Sequence, residues 1–356
     1  MNYIAFDSHK RYTLASVSTD KGKILCEKRL EHEHGVLHNF LSQWEAGTPV
    51  AVETIGNWYW IVDEIEQAGM APRLVNARKA KMMMCSVNKT DKLDVRGLNR
   101  LQCTGTLPTV WIPPADLRDK RDLPRTRMVL SRERTRLKNR IHATLGKYRQ
   151  ELTGVSDIFG SKSADTLADH VAKLPIHTRY STELLLEQLR LVTDQIGLLE
   201  KRMKEVFKDS ADLKRIMSLP GVGHVLGTVI LLELGDIQRF GGAPQFASYA
   251  GCTPRVRASG GKVRYGQLRS DVNHYLKWAF SEAANVVCAH REKHPHRHAM
   301  RLYTRIAAKK GHQKAVGAVA RHLAEGTYWM ICKGEDYREP KQIGEVINRK
   351  ISATSN

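Results

Sequence analysis

The order of β-favouring runs in the first 75 residues constrains the fold more than any other feature of the chain. Tyr3-Ile4-Ala5-Phe6 is a short apolar run that ends at Asp7. Tyr12 to Val17 and Ile24 to Arg29 follow, separated by the turn signal Asp20-Lys21-Gly22, so the first three strands read as an antiparallel meander. A helical stretch from Val36 to Trp44 comes next, then the strand Pro49-Val50-Ala51-Val52, ending at Glu53. Helical apolar spacing from Trp58 to Ala68 leads into a fifth strand, Pro72-Arg73-Leu74-Val75. Three adjacent strands, then helix and strand in alternation, predict a mixed α/β sheet covered by helices.

Beyond Pro108, Pro113 and Pro114 the pattern becomes helical. Arg118 to Arg149 holds twelve Lys/Arg against the three acids Asp119, Asp122 and Glu133, with apolar positions at Leu130, Leu137, Ile141 and Leu145. It reads as a long basic helix, on which Arg132, Arg136 and Arg140 recur every fourth residue and offer phosphate contacts. A second helix carries Leu185, Leu189, Val192, Ile196, Leu199, Met203 and Val206, steps of four and three that form a heptad seam. The seam can pack on the basic helix of the same chain or on another subunit. After about Asp212, glycine-rich turns and short apolar helices take over. These shifts divide the chain into an α/β domain (1–108), a basic helical and coiled-coil connector (109–211), a mainly helical domain (212–335) and a polar tail (336–356).

The 57 Lys/Arg against 37 Asp/Glu give a formal charge of +20. Such a surplus favours a polyanionic partner, because each phosphate contact releases counterions. The six cysteines show no C-x-x-C pair, which suits a reducing compartment rather than a zinc site or a disulfide framework. With no signal-peptide pattern and no apolar run long enough for a membrane span, we expect a soluble, cytoplasmic protein that makes no use of a membrane.

Four carboxylates stand out. Asp7 and Glu53 each end an apolar strand, where side chains emerge at the rim of a sheet. Asp91 and Asp94 are three apart at the start of a helix running from Val95 to Leu101, so they share a face. Converging, the four would bind two Mg²⁺ ions suited to phosphodiester chemistry. Individually, Asp91 also suits a helix cap and Asp7 a turn.

Further on, Leu219-Pro220-Gly221-Val222-Gly223 before the apolar helix Val225 to Leu234 is a helix-hairpin-helix-like signature. The N–H groups at Gly221 and Gly223 could hold a phosphate. The run from Phe246 to Lys262 ends in what reads as a flexible loop, with Arg255, Arg257 and Lys262 around Ser259. A serine hydroxyl among cations is placed to attack a phosphodiester, and equally a serine in a glycine loop can be solvated and inert. Tyr249, in an apolar stretch, reads as core, whereas Tyr265 is a rival nucleophile. The segment His290, His294, His296 and His298 is interrupted by Pro295 and reads as a basic, nucleic-acid-facing loop rather than a metal site.

Three blocks resemble the DEDD transposases of the insertion-sequence one-ten family, whose first domain is similar to the ribonuclease-H-like fold of RuvC-type junction resolvases. They are Ile4-Ala5-Phe6-Asp7-Ser8-His9-Lys10, Val52-Glu53-Thr54-Ile55-Gly56-Asn57-Trp58 and Asn88-Lys89-Thr90-Asp91-Lys92-Leu93-Asp94-Val95-Arg96. The resemblance implies that Ser259, shortly after Ala250-Gly251-Cys252-Thr253-Pro254-Arg255, attacks DNA and forms a covalent phosphoserine intermediate. It implies Mg²⁺ on Asp7, Glu53, Asp91 and Asp94, in a composite site across the subunits of a homo-oligomer. It also implies a structured guide RNA encoded by the element that pairs with donor and target DNA. Where relatives show a Ser-Lys-x-Gly-Asn-like block, this chain has Arg269-Ser270-Asp271-Val272-Asn273. A hydrolytic nuclease with water as nucleophile, and a non-catalytic nucleic-acid-binding protein, are the competing readings.

Overall fold

The computed structural model describes residues 1–84 and 90–340 and divides into two compact units, Met1–Pro113 and Pro114–Asn356. Asn88 and Lys89 of the third sequence block, and all but the first five residues of the polar tail, lie outside the described residues.

The first unit is built on a five-stranded mixed sheet. β1 (Asn2–Ser8), β2 (Tyr12–Thr19) and β3 (Ile24–Glu31) form the expected antiparallel meander. Helix α1 (Val36–Leu41) leads to β4 (Pro49–Glu53), and α2 (Trp58–Gln67) leads to β5 (Ala71–Val75). β4 and β5 extend the sheet in parallel, in the order β3-β2-β1-β4-β5. α1 stops three residues short of Trp44, with Ser42 Oγ donating to the His38 carbonyl at its last turn.

Strand alternation sorts the core. Ile4, Phe6, Val50 and Val52 face one side and pack with Leu37, Phe40, Ile61 and Ile65 of α1 and α2. Ala5, Ala51 and Val75 face the other side, toward Ala80 of α3 (Ala77–Met84) and Val95 and Leu98 of α4 (Asp91–Cys103). The small alanines let α4 lie close to the strands. Three polar contacts fix its position. Asn99 donates to the Ser16 carbonyl at 2.9 Å and Gln102 to the Ile4 carbonyl at 2.7 Å. Arg96 grips Glu27 with two hydrogen bonds of 2.6 and 2.9 Å.

The second unit opens with α5 (Ala115–Lys147), whose 33 residues span about 50 Å at the usual rise per residue. α6 (Ala164–Ala172) precedes α7 (Ile176–Val206). Tyr148 Oη lies 3.2 Å from Thr178 Oγ1, and Arg127 meets Glu200 at 2.6 Å, so α5 and α7 run antiparallel. Leu189, Val192 and Ile196 of the heptad seam pack on Leu137, Ile141 and Leu145 of α5 and on Leu167 and Val171 of α6. Those seam positions are therefore filled by the chain's own helices.

The remaining elements are α8 (Ala211–Met217), α9 (His224–Leu234), α10 (Ala243–Tyr249), β6 (Pro254–Ser259), β7 (Lys262–Leu268), α11 (His274–Ala289), α12 (His298–Lys310) and α13 (His312–Lys333). Phe246, Leu276, Phe280, Val319 and Leu323 centre the core of this helical cluster. The stretch expected as a loop around Ser259 is instead an antiparallel hairpin. Gly260 and Gly261 form its two-residue turn, with φ of +55° and +74°. Consecutive left-handed residues match the twist of a tight hairpin, and glycine adopts them without strain.

Glu233, only 1% exposed, joins several of these helices. Arg125 donates to both its oxygens at 2.8 and 3.1 Å, Asn273 Nδ2 donates at 2.9 Å, and the buried Arg121 lies 3.8 Å away. Removing one member of a buried ion network leaves the others uncompensated, which costs about 3–5 kcal/mol. Glu233→Ala is therefore expected to lower the denaturation free energy by about that amount, and Glu233→Gln by less. A change under ~1 kcal/mol for the alanine variant in denaturant titrations would remove the network from the stabilising contacts.

Candidate active site

In the first unit, β1 and β4 run in parallel with Phe6 opposite Val52. Asp7 and Glu53 follow those residues at the same end of neighbouring strands, on the face that α4 covers. α4 starts there: Thr90 caps it by accepting from the Leu93 N–H, and Asp91 and Asp94 occupy its first turn. The capping role open to Asp91 thus falls to Thr90. Asp7 and Asp91 come together on either side of His9, whose Nε2 lies 3.4 Å from Asp7 Oδ2 and 3.2 Å from Asp91 Oδ2. Ligand atoms of these three residues all lie within 4.8 Å of one another. Asp94 lies close enough to act on the Asp7 carboxyl, and Glu53 follows Val52 on the strand beside β1, but neither belongs to that three-residue group.

The electrostatics of Asp7 follow from this crowding. Burial holds its carboxyl above the ordinary range, His9 partly offsets that, and the charges of Asp91 and Asp94 raise it further. A cation placed among these groups would relieve both the desolvation and the repulsion, so the donor set fits a divalent metal. His9 carries no role in the sequence reading beyond its place in the first block. The available signal is its spacing, two residues past a strand-end aspartate, which keeps both side chains on one side of an extended chain.

Tyr12 Oη donates to Asp91 Oδ2 at 3.3 Å, and its ring stacks on His9 with centroids 4.5 Å apart. The Arg29 guanidinium lies 3.8 Å above the other side of that ring. Desolvation, then the neighbouring Asp91, pushes the Tyr12 phenol upward, which keeps the proton it donates. Asn57 Nδ2 donates to the His9 carbonyl at 3.0 Å and fixes the backbone where β1 ends.

In the second unit, the hairpin β6–β7 presents two chemically different faces. From Val256 to Tyr265 the register is regular, pairing Val256 with Tyr265, Arg257 with Arg264, Ala258 with Val263 and Ser259 with Lys262. Alternation puts Arg257, Ser259, Lys262 and Arg264 on one face and Val256, Ala258, Val263 and Tyr265 on the other. Tyr265, 71% exposed, therefore points away from the face that carries Ser259 and its cations. Arg255 sits at the register shift and donates to Ser270 Oγ at 2.9 Å. Tyr249 is packed against the core, as its apolar surroundings predict.

The divergent block after the hairpin has its own geometry. Arg269 and Asp271 pair through two hydrogen bonds of 3.2 and 2.6 Å, and this contact holds the Asp271 carboxyl down to about 2. Asn273 caps α11 by accepting from the Tyr275 and Leu276 N–H groups. Gly221 has φ +77°, and a Cβ there would press on the Ala283 carbonyl oxygen of α11. Its absence of a side chain serves packing, while Gly223 is exposed beside the N-terminus of α9. Arg132, Arg136 and Arg140 are all exposed on α5, and Arg136 pairs with Glu133 at 3.3 Å.

A strand-end and a helix-start carboxylate thus meet at a gap that fits a metal, and a basic helical unit follows in the chain, an arrangement suited to an enzyme that processes nucleic acid. Family comparison makes the class specific. Residues 4–150 match a DEDD transposase model, and residues 213–300 match the model described as the transposase IS116/IS110/IS902 family. The chain belongs to this family of DEDD transposases. The transposase for insertion sequence element IS1111A of Coxiella burnetii is 24% identical over 270 residues, covering 76% of this chain and 74% of the relative. The transposase for insertion sequence element IS1328 of Yersinia enterocolitica is 25% identical over 226 residues, covering 62% and 66%. No helix among the described residues is long and apolar enough to cross a membrane.

Proposed function

We propose that this transposase cuts and rejoins DNA through a covalent serine intermediate, with Mg²⁺ held by Asp7, Glu53, Asp91 and Asp94. The observation that carries the reading is the meeting of Asp7 and Asp91 from a strand end and a helix start, around a gap whose crowded charge favours a cation. The strand order β3-β2-β1-β4-β5 supports a ribonuclease-H-like, RuvC-type assignment for residues 1–108. Residues 109–211 serve as the connector and 212–335 as the serine-bearing domain. When bound, the metal supplies Lewis-acid neutralisation of charge on the reacting phosphate.

The Ser259 oxygen forms a bond to phosphorus while the bond to one deoxyribose oxygen breaks. The serine proton is lost to solvent or base, and the departing oxygen leaves as a hydroxyl. Arg257, Lys262 and Arg264 share the face of Ser259, which suits them to hold the phosphate and offset its developing charge. Attack by the new hydroxyl of another strand reverses the step and releases the serine. Arg132, Arg136 and Arg140 grip the backbone elsewhere, with Gly223 as a further phosphate contact. A formal charge of +20 supports two polyanions at once, DNA and a guide RNA. α7 leaves Leu184, Leu191 and Leu198, seven residues apart, 49%, 57% and 67% exposed, which supports a homo-oligomer through this helix.

The test is covalent capture. Purified protein with its co-purified RNA, Mg²⁺ and DNA carrying the element's junction is run on a denaturing gel, and any adduct is digested for peptide mapping. A DNA-linked peptide containing Ser259 is expected. Nicks without an adduct, dependent on Asp7 alone, would make the protein a hydrolytic nuclease.

A further inference from the structure

We infer that His9 is a nitrogen ligand of the carboxylate site, which thereby binds Mn²⁺ and similar transition metals in preference to Mg²⁺. The inference rests on the reading of Asp7 and Asp91 as metal ligands and adds to it a donor outside the four carboxylates. In an octahedral shell with bonds of about 2.1 Å, neighbouring ligand atoms are about 3 Å apart. The 3.4 and 3.2 Å separations of His9 Nε2 from Asp7 Oδ2 and Asp91 Oδ2 are close to that spacing.

The nitrogen itself is buried and makes no hydrogen bond of acceptable geometry among the described residues, although two carboxylate oxygens lie close by. A histidine whose role was to pair with those carboxylates would aim an N–H along one of them. Here the nitrogen lies 3.4 and 3.2 Å from one oxygen of each carboxylate without a hydrogen bond of acceptable geometry to either, a position from which its lone pair can meet a shared ion. The ring is held in this pose by stacking on Tyr12 and by the Asn57 contact to its own carbonyl. Tyr12 also donates to Asp91 Oδ2, so one side chain orients two ligands.

Ligand chemistry then sets the preference. Mg²⁺ selects oxygen donors and retains its waters, whereas Mn²⁺ and later first-row ions accept imidazole alongside carboxylate. Replacing the nitrogen should weaken Mn²⁺ binding by at least the ~10- to 100-fold that loss of an outer-shell partner costs and change Mg²⁺ binding much less.

Pulsed electron paramagnetic resonance on Mn²⁺ bound to the full chain reads the ligand directly. The wild-type protein is compared with His9→Gln and Asp7→Asn, and with wild type labelled with ¹⁵N-histidine. The expected result is an imidazole-nitrogen coupling that changes isotope with the label and vanishes in His9→Gln, with Mn²⁺ affinity lost in Asp7→Asn. Bound Mn²⁺ that depends on Asp7 but shows no nitrogen coupling in the wild type overturns the role of His9 and leaves the carboxylate site standing. Mn²⁺ binding indifferent to Asp7→Asn overturns the carboxylate reading and the inference with it.

Discussion

Asp7→Asn is expected to give a protein that melts a few degrees higher than wild type in EDTA at neutral pH, yet forms the DNA adduct at least ~10³-fold more slowly. The two effects share one cause. Burial and the charges of Asp91 and Asp94 outweigh the help from His9, so folding raises the proton affinity of Asp7 above its ordinary value of 3.8. A carboxyl with a raised folded pKa contributes stability below its unfolded pKa, and that contribution is lost as pH rises through the folded one. At neutral pH the metal-free fold therefore carries an uncompensated charge, which asparagine removes at nearly constant shape. Thermal melts in EDTA from pH 4 to 8 would show the variant's advantage growing with pH and then levelling. Saturating divalent metal reverses the order, because a ligand at 100 times its Kd adds about 2.7 kcal/mol to the protein that binds it. A variant that melts below wild type in EDTA at pH 7 would contradict the charge argument.

The second large effect belongs to the hairpin. Ser259→Ala should abolish adduct formation, by ~10⁴-fold or more, as removal of an enzymatic nucleophile does. DNA affinity should stay within about twofold, because a hydroxyl supplies little of the counterion release that dominates binding. Arg257→Ala is the contrasting variant, expected to lower the slope of log K against log salt by about one unit. Tyr265→Phe, on the opposite face, should retain the adduct. Filter binding over a salt series with a denaturing-gel rate assay separates these outcomes. Adduct surviving in Ser259→Ala would assign the nucleophile elsewhere.

The sheet was legible because its signals are local: strand runs bounded by turn residues, with Asp7 and Glu53 at strand ends. Their shared face follows from parallel pairing of β1 with β4, and that pairing requires the chain's topology rather than its periodicity. Asp91 and Asp94 were readable as a helix-start pair, but the contact between Asp91 and Asp7 was not, since it depends on Asn99, Gln102 and Arg96 docking α4. His9 went unassigned because one histidine beside an aspartate carries no meaning until Asp91 arrives on its other side. The hairpin stands where the sequence leads one to expect a loop. Ala258-Ser259-Gly260-Gly261-Lys262 shows the two-residue glycine turn plainly, but the flanking arginines obscured the alternation of Val256, Ala258, Val263 and Tyr265. The heptad seam was correctly periodic, and periodicity alone could not say that α5 and α6 would fill it.

The arm that carries Ser259 is almost wholly exposed: neither of its faces is packed on the core between Arg255 and Gln267. A lone two-stranded ribbon is only marginally stable in water. On the proposed mechanism, much of the order this arm needs during reaction would come from nucleic acid on the face of Arg257, Lys262 and Arg264. As the proposed nucleophile, Ser259 would then be well aimed only once DNA is engaged. For a transposase working by the proposed mechanism, such dependence would act as a restraint: a duplex unable to organise the arm would leave Ser259 undirected and the strand intact.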